Sequence, residues 1–411
     1  MKTFIRISRP IDDKILRDVQ YSEIVNFNGK VIDLRLAIYF KNILKEITRN
    51  SNYFIDPDLS FIRCWSPLEK RTVLKLFEFC KIHDVHPGLK EKTLSEEYIN
   101  DKTKELLVRC ILELERNPAI TQLRGLEELF SEFISGEQRS NLIAIVPPYF
   151  PIMDVNEVYS VWYSANLDMI NIALNMRRKG ERVYVVIAIS KDVLLHENAI
   201  KKIISDYTSF SKDVDGFLIW VIDLDEVSNH GELKHLVNFL RRLREGVKTK
   251  NVKIINMYGG YFSLLLVMLG LLDGVIMRVC YRQGRRPCQE VKGFVKENYY
   301  FSPLKTKIDL GLALNIMRLE PSWICQCPIC EGKQLFNKFQ KLKSEDLNKH
   351  FIYTLSREIE ELRNSTIEDT IRKLRSLYER LRELRVHTFI DIEHISTWAS
   401  ILNKELELKK P

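Results

Sequence analysis

The chain lacks any apolar run long enough to cross a membrane: its longest, Tyr261 to Leu272, ends at Asp273 and falls well short of the roughly 20 residues a spanning helix needs. No signal peptide is expected either, because Met1-Lys-Thr-Phe-Ile-Arg-Ile-Ser-Arg-Pro10 holds no apolar core of the required length. Eight cysteines among 411 residues are too few and mostly too isolated (Cys64, Cys80, Cys110, Cys280, Cys288) for a disulfide framework. These absences predict a soluble protein of a reducing cytoplasm, with no membrane partner. No internal repeat or low-complexity segment is present.

A hydrophobic content of 45% is enough for one large core of barrel size or two ordinary ones. The net charge of +8 is compatible with a polyanionic partner, although charge alone is a weak pointer. Arg177-Arg178-Lys179 and Arg241-Arg242-Leu-Arg244 read as solvated helix faces. Arg282, Arg285 and Arg286 differ, since they directly follow an apolar strand.

Short apolar runs alternate with helix-length segments. The runs are Tyr53 to Asp56, Leu142 to Val146, Val183 to Ile189, Phe217 to Asp223, Lys253 to Met257, Val275 to Cys280 and Tyr299 to Phe301. Each is nearly continuous in branched and aromatic residues, as parallel strands buried on both faces are. An eighth strand comes from Thr3 to Ile7 or from Glu23 to Phe27. A (β/α)8, TIM-like barrel fits best, and an open doubly wound sheet gives the same alternation. The expected organisation is a barrel over residues 1–320 with a helical insertion at about 67–140, a zinc subdomain at 321–355 and packed C-terminal helices at 356–411. In the last, Ser365-Thr-Ile-Glu368 reads as a capping box.

The densest chemistry is Cys325-Gln-Cys327-Pro-Ile-Cys330, followed by His350. Thiolates and an imidazole suit tetrahedral zinc, and four protein ligands close the site to a catalytic water. A structural Zn2+ is therefore expected. Among carboxylates, Asp56 and Asp58 end the first run, Asp154 follows the second, and Asp223 and Asp225 end the fourth; singly, each reads as a loop group or helix cap. Two of them at one barrel mouth could divide nucleophilic and proton-transfer work.

The stretch Leu271-Leu-Asp273-Gly-Val-Ile-Met-Arg-Val-Cys-Tyr-Arg282-Gln-Gly-Arg285 resembles the nucleophile segment of the tRNA-guanine transglycosylases of the archaeal type. Asn256-Met-Tyr258-Gly259-Gly260 is similar to that family's loop beneath the base, and the cysteine run with Leu347-Asn-Lys-His350 resembles its zinc ligands in order and flanks. The resemblance covers about Lys253 to Tyr353. It implies Asp273 as nucleophile, Asp56 as general acid and base, Gly259, Gly260 and Ser190 around the base, and Tyr258, Tyr261 or Phe262 stacked on it. Arg282, Arg285 and Arg286 would hold phosphates. The glycines of the family's Asp-Ser-Gly-Gly-Phe motif are absent at Asp56 to Phe61, and its base-reading glutamine is replaced at Ser190.

The resemblance implies a guanine transglycosylase that exchanges guanine for a 7-deazaguanine base through a covalent Asp-glycosyl intermediate. DNA is favoured over tRNA, because the family's C-terminal RNA-binding domain has no counterpart. A homodimer or a partner subunit is compatible with this reading. The departures favour a second class, a non-catalytic zinc-stabilised barrel that binds nucleic acid. A third, a barrel enzyme on another small substrate, leaves the basic charge incidental.

Overall fold

The computed structural model describes residues 1–20, 27–63, 67–79, 99–118, 141–247, 251–280, 287, 298–331 and 342–409. Its centre is a curled sheet of seven parallel strands: β1 (Lys2–Ile7), β2 (Gly29–Asp33), β3 (Tyr53–Asp56), β4 (Tyr184–Ser190), β5 (Gly216–Ile222), β6 (Lys253–Asn256) and β7 (Gly274–Arg278), in the order β3-β2-β1-β7-β6-β5-β4. Helices follow the strands, as parallel pairing requires of its crossovers.

The sheet separates two apolar populations by the alternation of side chains along each strand. Phe4, Val31, Phe54, Val186, Trp220, Ile255 and Ile276 form a cluster on the concave face, while the alternate residues Ile5, Ile32, Ile55, Ile187, Ile219 and Val275 pack outward in the larger core shared with the helices. The C-terminal helix Glu393–Glu407 joins that larger core through Trp398, whose ring stacks on Tyr261 and Phe262. Those two aromatics are therefore core residues and not a stacking platform.

Between β3 and β4 in the chain, residues 142–152 make only isolated bridges, but they make them on both sides. Ile143 N–H donates to Tyr53 O at 2.7 Å, and Tyr184 N–H donates to Ile145 O at 3.0 Å. The ladder is interrupted at Val146, whose N–H is taken at 3.1 Å by both carboxylate oxygens of buried Glu115, reaching in from the end of helix Asp101–Arg116. Leu142 to Val146 is therefore a bridging segment and not the regular strand its sequence predicts, and burial pushes the Glu115 carboxyl well above its ordinary range.

Several other expectations are corrected. Tyr299 to Phe301 is not part of the parallel sheet; β8 (Asn298–Phe301) pairs antiparallel with β9 (Thr306–Asp309) across a turn in which Lys305 is left-handed. After β7 the sheet continues directly to β1, where Thr3 to Ile7 lies at the middle of the sheet order, and the additional strand is β2, between β1 and β3, which no apolar run announced. Of the rival candidate Glu23 to Phe27, residues 23–26 lie outside the described residues, as do the parts 80–98 and 119–140 of the expected helical insertion. The cap of helix Ile367–Glu383 is Thr366, accepting from Asp369 N–H at 3.1 Å, one residue beyond the expected Ser365. Arg177 to Lys179 sit in the turn after helix Val161–Asn175, not on it. Arg241, Arg242 and Arg244 do lie on one helix, Leu233–Gly246, each paired with a carboxylate. Cys110 is disulfide-bonded, a single bond where the sequence reading excluded only a disulfide framework. Among the described residues no helix is long and apolar enough to cross a membrane.

Candidate active site and metal centre

In curled parallel sheets polar chemistry gathers at the carboxyl ends of the strands, and it does so here. Arg6 on β1 shares the concave parity of Phe4, so a guanidinium enters an otherwise apolar interior and is fully buried. It is salt-bridged to Asp33, the last residue of β2, and to Asp56, the last residue of β3. Those two aspartates are register partners, so the carboxylates stand side by side on one cation. Tyr149 donates its phenol hydrogen to Asp56 Oδ1 at 2.8 Å, and the Tyr258 ring covers Arg6 with its centroid 4.5 Å from the guanidinium carbon.

Asp56 is buried by its whole side chain, and that desolvation raises its carboxyl above the ordinary value despite the opposing pull of Arg6. Asp33 keeps 13% of its side chain exposed. Two neighbouring carboxylates in unlike environments are what acid–base division of labour requires. Asp58, two residues on, accepts from Ser60 N–H at 2.8 Å and from Ser60 Oγ–H at 3.0 Å. Across the β1–β7 ladder the register partner of Arg6 is Arg278, which donates to Ser8 Oγ at 3.2 Å. The mouth thus carries two adjacent guanidinium groups and three carboxylates.

The residues expected around a base are dispersed within this framework. Ser190 is buried and spends its oxygen capping the next helix, accepting from Val193 N–H at 3.2 Å. Tyr258 is buried over Arg6 and 4.9 Å from the Trp220 ring. Gly259 admits no side chain, because a Cβ there would lie 2.5 Å from Val275 Cγ1 and 2.6 Å from Ser263 Cβ. Gly260 N–H donates at 2.9 Å to Glu226, which also accepts from the Ser263 hydroxyl at 2.5 Å and so caps helix Tyr261–Met268. Burial pushes the Glu226 carboxyl up to about 7. Asp154 and Asp225 are turn caps, accepting from Asn156 and Val227 N–H. Arg282, Arg285 and Arg286 lie outside the described residues.

Asp273 is not brought to Asp56. It immediately precedes β7, and at about 3.3 Å per strand residue it lies roughly 16 Å below Arg278 at the opposite end. There it pairs with Arg244 at 2.6 Å and Lys253 at 3.3 Å and accepts from Ile254 N–H at 2.9 Å. Burial would raise its carboxyl, but these partners hold it below its ordinary range. Asp273 is thus held in ion pairs at the amino ends of the strands, and the structure does not bring it together with Asp56.

The four expected metal ligands do converge. One donor atom from each of Cys325, Cys327, Cys330 and His350 lies within 4.8 Å of all the others. The turn is held by Cys330 N–H and Glu331 N–H, both donating to Cys327 O. His350 stands on helix Ser344–Arg363, and its Nε2 meets Tyr300 O at 2.8 Å. A carbonyl only accepts, so Nε2 carries the proton and the Nδ1 lone pair faces the sulfurs, 3.4 Å from those of Cys327 and Cys330. Tyr299 stacks on the imidazole at 4.1 Å and presents its hydroxyl 3.6 Å from Cys330 Sγ. The set can hold one metal ion between the β8–β9 hairpin and the helix.

Sequence reading missed Arg6, Asp33, Tyr149 and Glu226. Only Arg6 left a signal, as the one charge inside the apolar run Thr3-Phe-Ile-Arg-Ile7. Compared with known protein families the chain matches none, and no curated protein matches it.

Proposed function

We propose that the protein is a glycosyl-transferring enzyme whose site is the Arg6, Asp33 and Asp56 cluster, and that it exchanges guanine for a 7-deazaguanine base in nucleic acid. The observation that carries this reading is the side-by-side pair Asp33 and Asp56 on one buried guanidinium, with burial favouring the protonated form of Asp56. Paired carboxylates of unlike environment suit glycosidic chemistry.

In this reading Asp33, the more exposed partner, attacks the sugar C1′. The C1′–N bond breaks toward guanine, Asp56 gives its proton to the departing base, and a covalent Asp33 glycosyl ester remains. The incoming 7-deazaguanine then surrenders its N–H proton to Asp56 as its nitrogen displaces Asp33 from C1′. Asp273 has no step, because it stands at the other end of the sheet. The net charge of +8 supports a nucleic-acid substrate, and a nucleotide must leave the base stack for C1′ to be reached.

Hydrogen bonds from residues 142–152 to both β3 and β4 support an eighth position that closes the sheet into a TIM-like barrel. Three thiols and an imidazole support zinc: sulfur at about 2.3 Å and nitrogen at about 2.0–2.1 Å from a tetrahedral ion stand about 3.5 Å apart. The corresponding separations here are 3.4 Å. Zinc there would pin the hairpin to the helix and supply no chemistry at the mouth.

One observation favours the alternative, a non-catalytic nucleic-acid binder: the residue that the family resemblance makes the nucleophile, Asp273, is locked in ion pairs. A single experiment separates the two. The protein is incubated with guanine-containing single- and double-stranded DNA and with tRNA, and run on denaturing gels beside Asp33→Asn and Asp273→Asn. A covalent adduct lost in Asp33→Asn and kept in Asp273→Asn supports the enzyme. Binding without an adduct on any substrate supports the binder.

A further inference from the structure

At the amino ends of the strands, opposite the carboxylate mouth, lies a cavity of about 840 Å³ that the proposed reaction does not use. Its floor is apolar, made by Phe4, Leu142 and Ala144. Its rim is basic: Lys2, Arg116, Arg178, Lys179 and Arg182 face a single carboxylate, Glu181.

The positive charges divide into two sets. Arg116 grips Glu181 through Nε and Nη2 at 2.7 and 2.8 Å and reaches Glu113 at 2.9 Å, and Arg178 reaches the same Glu113 oxygen at 2.9 Å. Two guanidinium groups and two carboxylates thereby neutralise one another. Lys2, Lys179 and Arg182 have no carboxylate partner among the described residues, and all three are exposed.

These cations are presented by a braced turn. Gly180 takes a φ of +85° that an L side chain rarely adopts, Glu181 N–H donates to Arg178 O at 3.1 Å, and Arg177 ties the turn by donating to Glu181 O at 2.6 Å and Asp213 O at 3.0 Å. Cations held in advance over a concavity bind an anion with little ordering cost. The volume lies within the range of small-molecule sites and far exceeds a lone phosphate. The apolar floor suits a flat ring, and at the wall stand the exposed residues Asn28, whose Oδ1 accepts from Thr3 N–H at 2.8 Å, and Asn52, whose Nδ2 donates to Asn28 O at 3.5 Å, each with its other amide atom left for a ring edge.

The geometry points to a mononucleotide site: the phosphate lies among Lys2, Lys179 and Arg182, and the base rests on Phe4, Leu142 and Ala144. The site is distinct from the mouth, and its existence does not depend on the reaction proposed there.

The test is calorimetric titration of the full chain with AMP and GMP, alongside adenosine, inorganic phosphate and a single-stranded oligonucleotide. Lys179→Ala/Arg182→Ala and Asp56→Asn are titrated in parallel, with melting temperatures as folding controls. The expected result is mononucleotide binding that adenosine and phosphate each match only at roughly tenfold or greater cost in affinity. The double variant loses roughly tenfold or more while melting normally, and Asp56→Asn binds as the parent does. No mononucleotide binding overturns the site, and so does binding unchanged in the double variant. Loss in Asp56→Asn puts the nucleotide at the mouth instead, and oligonucleotide binding alone through Lys179 and Arg182 makes the rim a backbone track; either result also overturns it.

Discussion

Asp33 and Asp56 face each other across the β2–β3 ladder and are both salt-bridged to the same guanidinium nitrogen, Nη2 of Arg6. Removing that cation deprives two neighbouring carboxylates, one of them fully buried, of the guanidinium that both are bridged to. Arg6→Met is expected to cost about 3–5 kcal/mol, the usual penalty for stranding a buried charge. Adding Asp33→Asn to it should recover part of the loss. Urea unfolding of the three proteins checks both statements, and equal midpoints for Arg6→Met and parent would contradict the cluster.

Much of the fold was legible because buried parallel strands announce themselves as continuous apolar runs. The strand β2 was not, since Asn28-Gly-Lys30-Val-Ile-Asp33 has only two apolar residues in sequence and buries Lys30 by pairing it at 3.0 Å with Asp13 of helix Pro10–Gln20. Tyr299 to Phe301 misled for the opposite reason: its aromatics pack against His350 and Phe351 of helix Ser344–Arg363 and against Trp323 instead of a barrel neighbour. The cluster of Cys325, Cys327, Cys330 and His350 was legible because three of its members are local in sequence. The Arg6, Asp33 and Asp56 cluster was not, because it exists only through the register of three strands. Asp273 shows the converse hazard, a motif-like residue placed one strand length from where its chemistry would be needed.

Glu226 gives the protein a pH-dependent element. Its carboxyl titrates at about 7 in the folded chain, raised by burial from the 4.5 of the unfolded one. A raised carboxyl stabilises the fold fully below the unfolded value and loses that contribution as pH climbs through the folded one. Stability should therefore fall between about pH 4.5 and pH 7, by on the order of 3 kcal/mol from this group. Subtracting the stability–pH curve of Glu226→Gln from that of the parent should isolate the slope, and a flat difference would refute it.

Metal removal should loosen the hairpin and its helix together. Dialysis against a strong chelator, or Cys327→Ser, is expected to lower stability by about 3 kcal/mol, the amount a ligand at one hundred times its dissociation constant supplies. Elemental analysis should find one metal ion per chain in the parent and none in the variant. Substoichiometric metal with an unchanged melting curve would mean that the four side chains merely pack.

Gly259 is confined by sterics and not by backbone angle. A methyl group there meets Val275 Cγ1 at 2.5 Å, Ser263 Cβ at 2.6 Å and Ser263 Oγ at 2.7 Å, and Ser263 cannot retreat without releasing Glu226. Gly259→Ala is expected to destabilise by about 1–3 kcal/mol, as overpacking does. Thermal unfolding with a normal midpoint would show that the loop yields.

The carboxylates at the two ends of the sheet should respond alike in stability and oppositely in chemistry. Asp273 is half-buried and paired with Arg244 and Lys253, so Asp273→Asn removes two ion pairs in a partly solvated place and should cost about 1 kcal/mol after screening. Asp33→Asn removes one of two charges from Arg6 and should change stability by a similar amount. The adduct gel, by contrast, should lose its covalent band in Asp33→Asn and keep it in Asp273→Asn. The reverse pattern would mean that the amino ends of the strands, and not their carboxyl ends, hold the reacting sugar, which would require Asp273 to leave both of its cations before it could attack carbon.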